Sequence, residues 1–254
     1  MILIKSEKEI ELMREPCRIV GLALQKMEEA IKPGMTTKDL DKIAEIVLRQ
    51  EGAKPSFKGQ MGFEGSKPYP AIICASVNQQ VIHGIPDDYV LKEGDIVSVD
   101  MGAYKNGYHG DAARTFAVGE VSAQAKKLIE VTKQSFFEGI KMAKAGNRVS
   151  DISHAVQAYA ESFGFSVVRD FVGHGVGKEL HEEPQVPNYG KPGRGPRLQK
   201  GMVIAVEPMI NEGTFEIDIL KNGWTVVTCD GKLSAHYENT IAITDGEPEI
   251  LTKV

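Results

Sequence analysis

The chain has 254 residues, with 35 acidic and 30 basic side chains, a net charge of −5, 42% apolar and 26% charged residues, an ordinary globular composition for one or two domains. Cys17, Cys74 and Cys229 lie far apart with no CxxC pair, which excludes a disulfide scaffold and a four-cysteine zinc module and suits a reducing compartment. No apolar run approaches a membrane span, the apolar patch after Met1 is too short for a signal peptide, and the acidic balance speaks against DNA binding by bulk charge, so a soluble, cytoplasmic enzyme is the expectation.

In chain order, the pattern predicts a helix over 7–31, a turn at Gly34, and a second helix capped by Thr36. Leu40, Ile43, Ala44 and Val47 recur on that helix at spacings of three and four, which is helical amphipathicity. Strand runs follow at 71–77, 96–101 and 113–118. The order then starts again: a helix over 122–144, a turn at Gly146, a helix capped by Ser150, and strands at 166–170, 202–206, 225–229 and 239–243. A shift of 112 residues lays Lys32 on Lys144, Gly34 on Gly146, Asp39 on Asp151, Leu40 on Ile152 and Gly52 on Gly164. Helices then strands, twice, predict one α+β domain spanning 1–254, built of similar halves at about 1–118 and 119–254. A duplicated fold often sets its site between the halves.

Chemistry-bearing residues come from both halves. In IVSVDMGAYKNGYHGD, Asn106-Gly107 is a strong hairpin signal. With that turn Asp111 opposes Gly102, so Asp100 and Asp111 become diagonal neighbours on one sheet face. Like charges that close call for a proton or a cation between them. His174 stands between two glycines in GHGVG, which lacks the spacing of a phosphate loop. In GMVIAVEP, Glu207 ends an apolar strand, where a carboxylate is costly unless paired or metal-bound. Glu238 opens another strand. Four carboxylates and an imidazole form a hard donor set with too much charge for one structural zinc. The set suits two divalent ions of the Mn, Fe, Co or Zn group in a metallohydrolase. His109, two residues before Asp111, is read as a neighbour of the site at most; His154 and His236 are read as structural or exposed.

The motifs VDMGAYKNGYHGDAARTF, GHGVGKELHEEP, VIAVEPM and SAHYENTIAIT, in this order, resemble those of the type I methionine aminopeptidases, members of the pita-bread metallopeptidase family. The resemblance runs from about residue 5 to the C-terminus. It implies a duplicated pita-bread fold, an antiparallel sheet with helices on one face and pseudo-twofold halves. It implies that Asp100, Asp111, His174, Glu207 and Glu238 are the metal ligands, with Asp111 and Glu238 bridging two ions, Asp100 completing one, and His174 with Glu207 the other. It further implies His83 near the scissile bond, His181 on the substrate carbonyl, and a methionine pocket of Tyr69, Cys74, Leu180 and Trp224. Glu207 is the candidate proton shuttle, so His83, His181 and Glu207 form the catalytic set.

The implied activity is removal of the N-terminal methionine from nascent proteins and peptides by a metal-activated hydroxide, when the second residue is small. The chain departs from the commonest bacterial pattern at Leu180, a position often Phe, and at Phe63 and Ser66, which leaves pocket shape open. Only 30 residues separate Glu207 from Glu238, without the helical insertion of type II enzymes. The large N-terminal domain of prolidase and of creatine-type hydrolases has no room before Asp100. A binding module that had lost catalysis would be expected to lack ligands, and all five are here. The segment 184–200, with Lys191, Arg194, Arg197 and Lys200, is read as a solvated loop, a weak ribosome contact being the sharper alternative. A monomer that binds neither DNA nor membrane is expected.

Overall fold

The computed structural model describes residues 1–62 and 67–253. Helices α1 (Glu7–Ala30) and α2 (Thr37–Glu51) precede strands β1 (Lys54–Pro55), β2 (Ile73–Val77), β3 (Gln80–Ile82), β4 (Ile96–Lys105) and β5 (Tyr108–Ala117). Helices α3 (Ala123–Ile140) and α4 (Val149–Ser162) precede β6 (Ser166–Val167), β7 (Gly173–Gly175), β8 (Glu182–Val186), β9 (Val203–Val206), β10 (Met209–Asn211), β11 (Ile217–Ile219), β12 (Val226–Thr228), β13 (Ser234–His236), β14 (Asn239–Ala242) and β15 (Glu249–Ile250). Helices then strands, twice, is the order the sequence predicts. The hairpin strands run past their predicted ends toward the turn, and short strands such as β7, β8, β10 and β13 were not foreseen.

The two helix pairs show the repeat in atomic detail. Thr36 caps α2 and shares a reciprocal capping box with Asp39. The expected cap at Ser150 is corrected: the cap of α4 is Arg148, 112 residues after Thr36, and Asp151 accepts its backbone N–H at 2.7 Å. Ser150 is drawn away, because its hydroxyl donates to the Arg194 carbonyl at 2.8 Å and accepts from the Arg194 N–H. Each cap residue also forms an isolated bridge, Thr36 to Val90 and Arg148 to Arg197.

Strands among the described residues pair antiparallel in four sheets. Ile19, Val20, Leu40 and Ala44 of α1 and α2 pack on Val97, Val99 and Met101 of β4. Phe136, Ile152 and Val156 of α3 and α4 pack on Ile204, Val206 and Ile241 of β9 and β14. Burial of such fully enclosed aliphatic side chains is the main stabilising term of the fold, each contributing about 1.5–3 kcal/mol. No helix of the described residues is long and apolar enough to cross a membrane.

A seam joins β5 to the stretch around Glu238. The Glu238 N–H donates to the Ala113 carbonyl at 2.9 Å, and the Ala113 N–H returns the bond at 3.3 Å. Thr240 donates its hydroxyl to the Asp111 carbonyl, and Thr115 donates to the His236 carbonyl, at 2.8 and 2.9 Å. The Arg114 guanidinium reaches Asn239 Oδ1 at 2.6 Å and lies 4.2 Å from the Tyr237 ring centre.

Candidate active site

The hairpin forms as its Asn106-Gly107 pair predicts. Both residues adopt positive φ, 57° and 85°, and Asp111 stands opposite Gly102 with Asp100 opposite Ala113. The two acids therefore share one face of the sheet. His174 comes from β7, which lies between β8 and β9. The glycines beside it serve close strand approach: a Cβ on Gly173 would stand 2.4 Å from the Ala205 carbonyl oxygen, and one on Gly175 2.3 Å from that of Glu183. Glu207 follows β9, and Glu238 lies between β13 and β14 across the seam.

All five side chains line one cavity of about 630 Å³, together with His83, His181, Tyr69, Cys74, Leu180 and Trp224. The His174 Nδ1–H donates to the Gly175 carbonyl at 2.9 Å. That bond fixes the tautomer and leaves the Nε2 lone pair facing Glu207 at 3.6 Å and Asp111 at 3.7 Å. Oxygens Oδ1 of Asp100, Oδ1 of Asp111 and Oε1 of Glu238 are buried without a hydrogen-bond partner.

Loss of hydration on burial pushes the Asp100 carboxyl up to about 7 and Glu207 up to about 8. Burial, reinforced by the neighbouring carboxylates, holds Asp111 and Glu238 well above the ordinary carboxylate range. Burial takes the His174 imidazole down to about 3, so it stays neutral and able to ligate. A cluster of acids that resists ionisation, with orphaned oxygens and an aimed imidazole, fits divalent cations.

Ligand atoms of Asp111, His174 and Glu238 lie within 4.8 Å of one another, and so do those of Glu207, His236 and Glu238. Asp100 belongs to neither group, though it lines the same cavity. His236 joins the second of these groups, although the sequence reading gave it no part in the site. Read as structural or exposed, it is 1% exposed, with both ring nitrogens unpartnered and Nε2 3.7 Å from Glu207. Its position two residues before Glu238, at the end of β13, was the available signal. His154 is exposed, as expected. His109 has its Nδ1 taken by Ser56 Oγ at 2.8 Å.

The other wall of the cavity is apolar. Tyr69, Cys74, Leu180 and Trp224 cluster with Phe57 and Ala71. Tyr69 and Trp224 meet edge to face at 5.0 Å. Their polar atoms are spent outward: Trp224 Nε1–H donates to the Lys67 carbonyl at 2.8 Å, and the Tyr69 hydroxyl reaches the Gly84 carbonyl at 2.9 Å. His83 holds a positive φ of 58° and packs its ring edge to face with Phe171 and Trp224. His181 sits 4.4 Å, ring to ring, from His174. Phe63 and Ser66 lie outside the described residues.

The model of metallopeptidase family M24 matches residues 11–245. The chain belongs to that family. Within M24, it is 60% identical to the methionine aminopeptidase of Clostridium acetobutylicum over 99% of both chains. It is 54% identical to methionine aminopeptidase 1 of Bacillus subtilis over the whole of both. The crystal structure of the methionine aminopeptidase from Thermotoga maritima superimposes with a TM-score of 0.95 at 47% identity, again over both whole chains. The pita-bread fold of M24, expected from the motifs, is the fold found.

Proposed function

We propose that this M24 hydrolase removes the N-terminal methionine from peptides and nascent polypeptides when the second residue is small. The observation that carries the reading is the apolar pocket opening directly onto the carboxylate floor within one cavity. Full-length relatives named methionine aminopeptidase support it.

Asp100, Asp111, His174, Glu207 and Glu238 would hold two divalent cations from the Co, Mn, Fe and Zn group. Bound there, such ions supply a water acidic enough to attack at neutral pH and a Lewis acid for the scissile carbonyl. Tyr69, Cys74, Leu180 and Trp224 take the unbranched thioether side chain, whose flexibility suits a closely walled apolar slot. The free α-amine lies toward Asp100, which limits cleavage to the first peptide bond. Glu207, whose carboxyl without a cation binds a proton up to about pH 8, would be ionised once a bound cation displaces that proton, and then takes the proton of the attacking water. His181 donates an N–H to the carbonyl oxygen as negative charge grows there. His83, neutral because burial lowers it to about 4, supports the leaving amide nitrogen.

The protein is read as a cytoplasmic monomer with a single catalytic domain, its halves at about 1–118 and 119–254. The segment 184–200, expected to be a solvated loop, begins within β8 and buries Val186, Asn188 and Leu198, leaving 191–197 exposed; a ribosome contact of its basic residues would appear as salt-dependent pelleting lost on charge reversal. The decisive assay supplies Mn, Fe or Co and compares three peptides. Met-Ala-Ser should be cleaved, Leu-Ala-Ser and Met-Lys-Ser poorly or not at all. No cleavage of any of them with any metal overturns the reading.

A further inference from the structure

The first residues of the chain invert the usual rule of burial. Leu3 and Ile4 are 47% and 48% exposed, while Lys5 between them and α1 is 6% exposed. Lysine is almost never buried unless paired, and its partner here is far away in sequence. Lys5 Nζ stands 2.6 Å from Glu182 Oε2, and both side chains are almost fully enclosed. The backbone of Lys5 is fixed as well, because its N–H donates to the Gly201 carbonyl at 2.7 Å.

Glu182 is the hub of the turn that ends at β8. Its Oε1 accepts the Glu179 N–H at 3.3 Å. A Cβ on Gly177 would stand 2.3 Å from that oxygen, so the turn wraps the carboxylate without slack. The Gly177 carbonyl in turn accepts the His109 N–H of β5 at 2.9 Å. Between Gly177 and Glu182 the turn carries Leu180, a wall of the apolar pocket, and His181. Glu182 also lines the cavity. Unpaired, it would add another carboxylate to a cavity already lined with acids; paired to Lys5, its charge is balanced.

A buried ion pair is a weak source of stability, since desolvation offsets most of the attraction. Neither stability nor solubility accounts for exposing two aliphatic residues in order to bury a lysine. We propose that Lys5 and Glu182 are positioning residues, and that their ion pair holds the 177–182 turn so that His181 and Leu180 meet the substrate in register. This rests on the aminopeptidase reading of the same cavity.

The test uses the full chain and the variants K5R, K5M and K5M/E182M. The double variant removes both charges, so it should fold with a melting temperature near that of the parent even where K5M does not. In K5M/E182M, peptides covering 175–186 should exchange amide hydrogens about tenfold faster. With cation content unchanged, kcat/KM for Met-Ala-Ser should fall tenfold to a hundredfold, roughly the cost of an ångström-scale misplacement. K5R should recover most of that loss. Unchanged exchange in a folded K5M/E182M overturns the proposal, and so does a kcat/KM within about twofold of an active parent. If the parent cleaves none of the peptides, the aminopeptidase reading falls while the exchange comparison still decides this one.

Discussion

The two walls of the cavity obey opposite rules. On the floor, Asp100, Asp111 and Glu238 keep buried oxygens with no partner, and the acids resist ionisation. On the apolar wall, Tyr69 and Trp224 have spent their polar atoms on backbone carbonyls and present only ring faces and edges. The wall satisfies its own polar atoms; the floor leaves its carboxylate oxygens unsatisfied and is the part suited to cations. On the proposed function, chemistry and selectivity fall to groups that answer to different forces, electrostatics on one side and packing on the other.

That separation can be broken from the floor first. Replacing Asp100 with Ala should leave the protein with one cation fewer by elemental analysis and with turnover near the detection limit; full activity with both cations would sink the assignment. His236→Ala should come next. Its Nε2 faces Glu207 and Glu238, and loss of such a neighbour of metal ligands typically costs about 10–100-fold in metal affinity or activity; a titration with Mn²⁺ alongside kcat measures both.

The third test uses pH. In the folded protein Asp100 and Glu207 hold their protons up to about 7 and 8, against ordinary values of 3.8 and 4.5. The unfolded chain binds fewer protons across that window, so metal-free stability falls as pH rises through it. Cations displace those protons. The gain in Tm on adding Mn²⁺ should therefore be greater at pH 8 than at pH 5.5, by roughly 3–6 °C for a chain of this size. Equal gains at both pH values would mean that the floor is not acid-strained.

The smallest effect belongs to the wall. Leu180→Phe installs the residue that the family often carries at this position, so KM for Met-Ala-Ser should move by less than about fivefold, under ~1 kcal/mol, while cation content and kcat hold. A change in cation content in that variant would show that the two walls are coupled after all.

What the sequence disclosed was what local pattern encodes. Asn106-Gly107 alone was enough for the hairpin register and hence for the pairing of the two acids. The 112-residue offset was enough for the helix pairs, because caps and amphipathic faces are written in neighbouring residues. The misses lie where partners are distant. Ser150 has good cap chemistry, but Arg194 takes its hydroxyl, and only the 112-residue offset, which lays Thr36 on Arg148, points away from it. His236 looks like any strand histidine until Glu207 is folded against it. Lys5 carries no local sign of burial, because the partner that makes it interior is 177 residues away. Short strands such as β7 and β13 carry too few residues for alternation to register.

The seam between β5 and residues 236–240 also has a history in time. Asp111 and Glu238 are joined through it although 127 positions separate them. At synthesis rates of 5–20 residues per second, the gap takes roughly 6–25 s to fill. For that interval the growing chain carries the Asp100–Asp111 hairpin with one edge of β5 open. An open edge invites pairing with any passing strand. Glu238 joins the acids of that hairpin only when the later strands arrive, and so the site is finished late, by the second half of the fold.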